Sequence, residues 1–286
     1  MTAFSIQTEQ TVAFLTCVPM HQYGAIMCVP MHQYGAIMQA FSTRLGGLSE
    51  PPYASLNLGL GSGDDRARVQ RNRARFARAL RFNPRALVTL QQVHSNQLAI
   101  LTEATNPQLL RGTPGDGLLT NRPGLPLGVI TADCFPVILA APRVPAVGIV
   151  HAGRRGIAAL VVLSAIALMS QTFDAPPEAL FVAIGPGIGR CCYEIDEASA
   201  APFQAQGMLN DAVYRPSRPG HLYLDLQRAI GQQLCQAGVP STQVWCADLC
   251  TACHSHWFYS YRREGPRSGR MLNVVMIRPT ADSTFI

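Results

Sequence analysis

Lysine is absent from this sequence, so all 23 basic residues among its 286 are arginine. The absence excludes three kinds of chemistry that need a lysine side chain: a Walker phosphate loop, a pyridoxal Schiff base and a lysine nucleophile. We treat it as a limit on chemistry and not as an adaptation.

Charge and long apolar segments are also scarce. Charged residues make up 14% of the chain and hydrophobic residues 48%, which excludes a disordered or fibrous protein. The longest apolar run, residues 157–169, is shorter than the roughly 20 residues of a membrane span. No basic residue precedes Arg44, so the N-terminus lacks the basic region of a secretory signal. With nine cysteines and no such signal, the sequence predicts a cytoplasmic protein with no membrane partner, whose cysteines are ligands, nucleophiles or core residues.

Arginines are concentrated in one predicted helix. Seven of them lie within residues 66–81, on a segment that Asp64 and Asp65 are placed to cap and that runs to about Phe82. Phe76, the aromatic residue among residues 66–81, is predicted on the inner face, so the arginine-bearing outer face has no aromatic side chain for base stacking. This favours a solvated helix face over a nucleic-acid partner.

Two identical copies of an eleven-residue segment lie near the N-terminus, at residues 17–27 and 28–38. A solenoid needs at least three similar units, so a recent duplication is the better interpretation. We therefore separate an N-terminal segment, residues 1–40, from a single catalytic domain, residues 41–286.

Short apolar runs bounded by turns dominate the rest of the chain and predict strands. The predicted strands are residues 39–44, 87–90, 97–101, 117–119, 127–130, 136–139, 147–150, 179–184, 244–246 and 271–277. Helices are predicted at about 155–171 and 222–237. Strands outnumber helices and occur in clusters, so the sequence predicts an α+β fold with mixed β-sheets packed against helices in a single layered domain.

Three predicted strand ends carry side chains that bind soft metals: His94, Cys134 and His151. Two imidazoles and one thiolate suit a catalytic zinc with an open fourth position. These residues are 40 and 17 positions apart, so nothing local forces them together, and core histidines or a buried cysteine remain an alternative.

A set of sequence motifs favours the metal site over the alternative of core residues. The motifs, in chain order, are FSTRLGG, SLNLG, LQQVHS, GDGLLT, TADCFPVIL, VGIVHAGRRG, AIGPGIGRCCYEI and DLCTACHSHWFYSYRREGPRSGRML. From about Phe41 to Ile277 the chain resembles the laccase-domain (YfiH-like) family. The resemblance implies a mixed α/β architecture and a zinc or copper ion held by His94, Cys134 and His151. Where the family usually has HAGWRG, this chain has Arg154 in place of the tryptophan.

The resemblance also implies functions, because members are called purine nucleoside phosphorylase, polyphenol oxidase or peptidoglycan editing factor. The first hypothesis is a zinc-dependent enzyme that cleaves adenosine, inosine, guanosine or methylthioadenosine with phosphate and deaminates adenosine. Copper-dependent polyphenol oxidation at the same triad is an alternative, although seven histidines are few for a multicopper mechanism. A metal-free amidase with Cys134 as nucleophile and His151 as base is another.

Substrate contacts are predicted at Arg44, Asn57 and Gln92. Arg44 is expected to clamp phosphate, with a surface ion pair as the alternative. Asn57 and Gln92 are expected either to bind substrate or to fasten loops.

A second group of candidate metal ligands comprises Cys246, Cys250, Cys253, His254 and His256. It contains one Cys-x-x-Cys pair, and the resemblance assigns no metal to it, so the sequence favours no ion there.

Overall fold

A computed structural model describes residues 4–9, 11–17 and 37–279 of the chain. The strands of these ranges are β1 Phe4–Glu9, β2 Val12–Cys17, β3 Ile37–Ser42, β4 Leu98–Leu101, β5 Gly117–Thr120, β6 Leu127–Thr131, β7 Phe135–Ala141, β8 Ala146–Ala152, β9 Phe181–Ile184, β10 Glu194–Asp196, β11 Tyr214–Pro216, β12 His221–Leu224, β13 Val244–Cys246 and β14 Met271–Ile277. The α-helices are α1 Arg66–Leu80, α2 Arg154–Ala158, α3 Val161–Phe173, α4 Glu197–Ala205, α5 Leu226–Gln236 and α6 Tyr261–Glu264.

Two large sheets pack face to face. One has the strand order β1-β2-β3-β14-β6 and is antiparallel throughout, and the other has the order β13-β9-β7-β8-β5-β4 and is mixed. Alternate side chains of each strand point to opposite faces of its sheet. Ile138 of β7 therefore lies in the core between the sheets, together with Val275 of β14, whereas Val137 and Leu139 lie in the core on the far side of the mixed sheet.

Helices cover the outer face of each sheet. Phe76 of α1 packs among the outward residues of β2, β3 and β14, while α3 and α5 cover the mixed sheet with residues such as Ile166 and Ile230. The result is four layers in the order helix, sheet, sheet, helix, which confirms the predicted α+β class. No helix in the described part of the chain is both long and apolar enough to cross a membrane.

Helix α1 begins and ends close to the predicted positions. The side chain of Asp65 accepts a hydrogen bond from the backbone N–H of Arg68, which makes it the N-cap. Val69, Phe76 and Leu80 are buried on the inner face, as the apolar spacing predicts.

Three predicted elements differ from the structure. The helix predicted at about 222–237 begins only at Leu226, because His221–Leu224 forms β12 and the side chain of Asp225 caps the helix. The predicted helix at 155–171 is divided into α2 and α3 because Leu160 takes a left-handed conformation with φ of 63°. The predicted strand at 87–90 forms only one isolated bridge, between Val88 and Leu127, and a second bridge follows it at Gln91 with Pro114.

The N-terminal strands belong to the same sheet as the C-terminal strand. β2 pairs with β3 through Leu15 and Phe41, so a division after residue 40 passes through β3. Residues 18–36, which hold most of the repeat, lie outside the described residues.

Deletion of residues 17–27 is expected to leave thermal stability and activity nearly unchanged. The deletion joins Thr16 to Cys28, which replaces Cys17 with an identical residue and keeps the sequence of β2 and β3 intact. The connection between the strands is roughly halved, and a doubling of loop length costs only about 0.6 kcal/mol. Thermal unfolding of the two chains measures this, and failure of the shortened chain to fold would show that the first copy contributes to the core.

Candidate metal centre

The ends of two central strands of the mixed sheet bring two of the three predicted ligands together. β7 and β8 are antiparallel neighbours in which Pro136 faces His151 and Phe135 faces Ala152. Cys134 directly precedes β7, so this register places its side chain beside His151. His94 lies outside any strand, in the segment that leads into β4.

The donor atoms of His94, Cys134 and His151 lie within 4.8 Å of one another. The Cys134 Sγ is 3.9 Å from the His94 Nε2, and the two imidazole rings are arranged edge to face with centroids 4.9 Å apart. His151 is buried, Cys134 is half-buried and His94 is exposed, so the cluster opens to solvent on one side.

Gly153 leaves room for the cluster. A Cβ atom at this position would lie 2.9 Å from the Cys134 Sγ and 3.0 Å from the His94 Cδ2. Soft sulfur and imidazole nitrogen donors converging in such a space fit zinc or copper with an open position.

Asp116 holds both histidines and was not among the predicted site residues. Its Oδ1 lies 2.8 Å from the His151 Nδ1 and 3.0 Å from the backbone nitrogen of His94, and its Oδ2 accepts from the backbone N–H and hydroxyl of Ser95 at 2.6 and 2.8 Å. A hydrogen bond from Nδ1–H leaves the Nε2 of His151 as the ligand atom. The same carboxylate stabilises the left-handed backbone of His94, whose φ is 59°. The GDGLLT motif contains Asp116, so a signal for it was present in the sequence.

The pKa values of Cys134 and His151 are shifted in opposite directions even without a metal. Burial alone would raise the pKa of Cys134, but the adjacent His151 and His94 lower it to about 6. Burial alone would lower the pKa of His151, but Cys134 and Asp116 raise it to about 9. For Asp116, hydrogen bonds from His151 and Ser95 outweigh burial and lower the pKa to about 2. In metal-free protein a thiolate therefore faces an imidazolium near neutral pH.

Alkylation of chelator-stripped protein is expected to show this ion pair. Cys134, with a pKa of about 6, is already thiolate near neutrality, so its reaction rate should stay flat up to the pH at which His151 loses its proton. Cys246, whose pKa burial raises to about 11, should react about tenfold faster per pH unit over the same range. Peptide mapping by mass spectrometry measures both, and a parallel rise at Cys134 would rule out the thiolate.

Asp133 braces the turn that carries Cys134. It is buried and has a φ of 90°, which is strained for a residue other than glycine. Its carboxylate accepts from the Thr251 hydroxyl and from the backbone N–H of Arg262, both at 2.6 Å. These charge-assisted hydrogen bonds offset the strain and join the triad to the segment around residue 251.

A cavity of about 840 Å³ opens onto the triad. Its walls combine apolar side chains, such as Leu90 and Ile188, with the aromatic rings of Tyr193 and Tyr261. Three arginines also line it: Arg154, Arg262 and Arg270. Among the residues that the structure describes, none of the three is within ion-pair distance of a carboxylate. The carboxylate of Asp133 also lines the cavity, so the three arginines leave it with an excess of positive charge. Its size suits a small organic anion or a nucleoside with phosphate.

Arg44 pairs with Glu264, the last residue of α6, whose first two residues line the cavity. Its Nη1 is 2.6 Å from the Oε1 of Glu264 and 2.9 Å from the Ser255 carbonyl, and its guanidinium stacks over Tyr259. It is not among the cavity-lining residues. This geometry matches the ion-pair alternative, and the phosphate contact stays a prediction.

The side chains of Asn57 and Gln92 both form hydrogen bonds with the backbone of other segments. Asn57 is fully buried and its Oδ1 accepts from the backbone N–H of Arg270 at 2.9 Å, so it positions a cavity arginine from behind. Gln92 lines the cavity, but its amide exchanges two 2.7 Å hydrogen bonds with the backbone of Ile130. Direct contact of either side chain with substrate stays a prediction.

The fold agrees with that of a known family. A family model described as multi-copper polyphenol oxidoreductase laccase matches residues 38–278. The chain belongs to this family. The resemblance predicted from the motifs is therefore confirmed. The family is a metal-binding, laccase-like domain, and the structure of this chain contains a His/Cys/His candidate site.

Curated relatives and solved structures of the laccase-domain family match most of the chain. The purine nucleoside phosphorylase YlmD of Geobacillus stearothermophilus is 36% identical over 240 residues, which cover 82% of this chain and 88% of the relative. A purine nucleoside phosphorylase of Deinococcus radiodurans is 39% identical over 236 residues, covering 82% of this chain and 87% of the relative. The crystal structure of the Bacillus licheniformis hypothetical protein YfiH has a TM-score of 0.86 and 28% identity, and covers 97% of this chain and all of its own.

Proposed function

We propose that the protein is a zinc-dependent purine nucleoside phosphorylase that acts on adenosine, inosine, guanosine and methylthioadenosine and also deaminates adenosine. The observation that carries the proposal is the position of the His94–Cys134–His151 cluster on a cavity lined by three arginines and two tyrosines. The names of the curated relatives support the same reaction class.

The roles of the chain's own residues follow from chemistry. Guanidinium groups bind phosphate through paired hydrogen bonds, and aromatic rings such as Tyr193 and Tyr261 stack on a purine. The hydrogen bond from Arg262 to the Glu194 carbonyl and that from Arg154 to the Ser199 carbonyl fix these cations at the cavity wall before substrate binds. Zinc, when held by His94, Cys134 and His151, supplies Lewis acidity and lowers the pKa of a water molecule, which deamination requires.

The test is a panel of purine nucleosides incubated with phosphate, with the released bases separated by chromatography and ammonia measured in parallel. We expect free base from each nucleoside, with ribose 1-phosphate from adenosine, inosine and guanosine, 5-methylthioribose 1-phosphate from methylthioadenosine, and ammonia from adenosine. Release of ammonia without free base would show a deaminase that is not a phosphorylase. Release of neither product would overturn the proposal.

Cavity arginines are expected to set the phosphate affinity. Arg262→Ala and Arg270→Ala should each raise the phosphate KM by roughly 10- to 100-fold, because each removes a charge-assisted contact of about 1.5–3 kcal/mol. Zinc content should stay normal. Arg44→Lys is the matched comparison: an unchanged phosphate KM assigns Arg44 to its pair with Glu264, and a raised one assigns it to phosphate. An unchanged phosphate KM in both cavity variants would show that phosphate does not bind at these two arginines.

Copper-dependent polyphenol oxidation is a second candidate, favoured by the description of the family and by a His/Cys/His donor set that also suits copper. Oxygen consumption with a phenol by copper-loaded protein tests it. An amidase with Cys134 as nucleophile is a third, favoured by the lowered pKa of Cys134 beside His151. It needs no zinc, so metal removal distinguishes it from the proposed function.

A further inference from the structure

Four cysteines converge on the side of the fold behind the cavity wall. The sulfur atoms of Cys191, Cys192, Cys250 and Cys253 all lie within 4.8 Å of one another. Cys253 is 3.5 Å from Cys191 and 3.4 Å from Cys192, sulfur to sulfur. The two pairs come from segments almost 60 residues apart in sequence, and the triad of the proposed function contributes none of them. Cys246, His254 and His256, which the sequence groups with Cys250 and Cys253, are not part of this cluster.

Local backbone aims all four side chains at one point. Successive side chains of a strand point to opposite faces, but Cys191 and Cys192 lie in a turn that the Cys192 N–H closes onto the Gly189 carbonyl at 3.0 Å. Cys250 and Cys253 flank a second turn, closed by the hydrogen bond from the His254 N–H to the Cys250 carbonyl. Each turn therefore supplies two thiols to the same side.

Gly189 lies against the cluster. Its N–H donates to the Cys250 Sγ at 3.2 Å, and a Cβ there would lie 3.2 Å from the Cys191 Sγ and 3.1 Å from the Cys250 Cβ. Hydrogen bonds from backbone N–H groups to sulfur stabilise thiolates, the form in which cysteine binds metals.

We propose that Cys191, Cys192, Cys250 and Cys253 bind a second zinc ion, with a structural role distinct from the proposed active site. Four thiolates close the coordination shell, which is typical of structural and not catalytic zinc. A tetrahedral site with zinc–sulfur bonds of about 2.3 Å places its sulfurs roughly 3.8 Å apart, close to the observed spacings. A disulfide needs about 2.05 Å and would use only two of the four sulfurs.

The position of the cluster gives the ion its role. Thr251, between the two ligands of the second turn, donates to Asp133 beside Cys134, and its N–H donates to the Gly187 carbonyl. The first turn leads directly into Tyr193, and the Cys192 carbonyl lies 3.4 Å from the Nη1 of Arg262. An ion that joins the two turns thus fixes the cavity wall formed by Ile188, Tyr193 and Arg262.

Zinc stoichiometry tests the proposal on the full chain purified with reductant. Plasma mass spectrometry should give two zinc ions per chain in the unchanged protein, one in Cys250→Ser/Cys253→Ser and one in Cys134→Ser. Cys235→Ser, at an exposed cysteine outside both clusters, should keep two. One zinc in the unchanged protein that disappears in Cys134→Ser, or iron in place of the second zinc, would overturn the assignment.

Alkylation of the unchanged protein makes the test independent of whether the double variant folds. Cys191, Cys253 and Cys235 are all exposed. We expect Cys191 and Cys253 to react at least about tenfold more slowly than Cys235 until a chelator is added. Equal reactivity before chelation would overturn the proposal. A disulfide would also overturn the proposal. It would show as protection from alkylation that a reductant removes and a chelator does not, and as a chain mass lower by two hydrogens.

Discussion

Replacement of Asp116 by asparagine is expected to lower the zinc affinity of the His94–Cys134–His151 site by about 10- to 100-fold, the usual cost of losing an outer partner of a metal ligand. Asp116 is buried and accepts hydrogen bonds from the His151 ring, the His94 backbone and Ser95. An amide of the same shape accepts at one atom only, so at least one of these donors loses its partner. The tautomer of His151 or the left-handed turn at His94 is then no longer fixed.

The same change should lower the free energy of unfolding by about 2–5 kcal/mol, because a buried donor without a partner costs 1–3 kcal/mol and a broken buried ion pair more. Competition with a chromogenic chelator gives the zinc affinity, and thermal unfolding of chelator-stripped protein gives the stability. Asp211→Asn, at an exposed carboxylate, is the control and should change neither. Lower stability with unchanged zinc affinity would limit Asp116 to a structural role.

Loss of any one triad residue should have the largest effect on activity. Cys134→Ser replaces a thiolate with a hydroxyl that stays protonated near neutral pH, and His94→Ala or His151→Ala removes an imidazole. Each should lower phosphorolysis by more than about 100-fold, beyond the cost of losing an outer partner.

The three ligands should also act as a unit. Double variants of the triad should therefore be hardly worse than single variants, as is found for catalytic groups that work together. Zinc should fall by one ion per chain in each variant, while Cys235→Ser keeps both metal content and activity. Losses that multiply from one variant to the next would show that the three side chains act independently.

Short, continuous runs of apolar residues in the sequence predicted most strands of the mixed sheet. Runs such as residues 136–139 and 147–150 are β7 and β8 in the structure, because strands buried on both faces are continuously apolar. β10 and β11, each only three residues long, are set by tertiary pairing and left no comparable pattern.

Two other differences have separate causes, a side chain that takes the place of backbone and a break in a helix. Residues 87–90 have the composition of a strand, yet near them the Gln92 side chain, and not backbone, pairs with Ile130. The break at Leu160 lies in an apolar segment without glycine or proline nearby on its C-terminal side, so no local signal marked it.

The candidate site likewise depends on contacts between residues that are far apart in sequence. Spacing alone does not join His94, Cys134 and His151; the β7–β8 register and Asp116 do. The motif resemblance carried that information, whereas the four-cysteine cluster had only two separate signals, a Cys-Cys pair and a Cys-x-x-Cys pair, whose meeting depends on the bridge between Gly187 and Cys250.

Zinc content and hypoxanthine release from inosine and phosphate, measured on the same samples, decide whether nucleoside cleavage needs the metal of the triad. The protein is stripped with a chelator, then titrated with zinc, and Cys134→Ser is treated in parallel. We predict that stripping abolishes release, that release returns in proportion to the zinc bound at His94, Cys134 and His151, and that Cys134→Ser does not recover. Full activity in the stripped protein, together with its loss when Cys134 is alkylated, would contradict the metal site and identify Cys134 as a nucleophile.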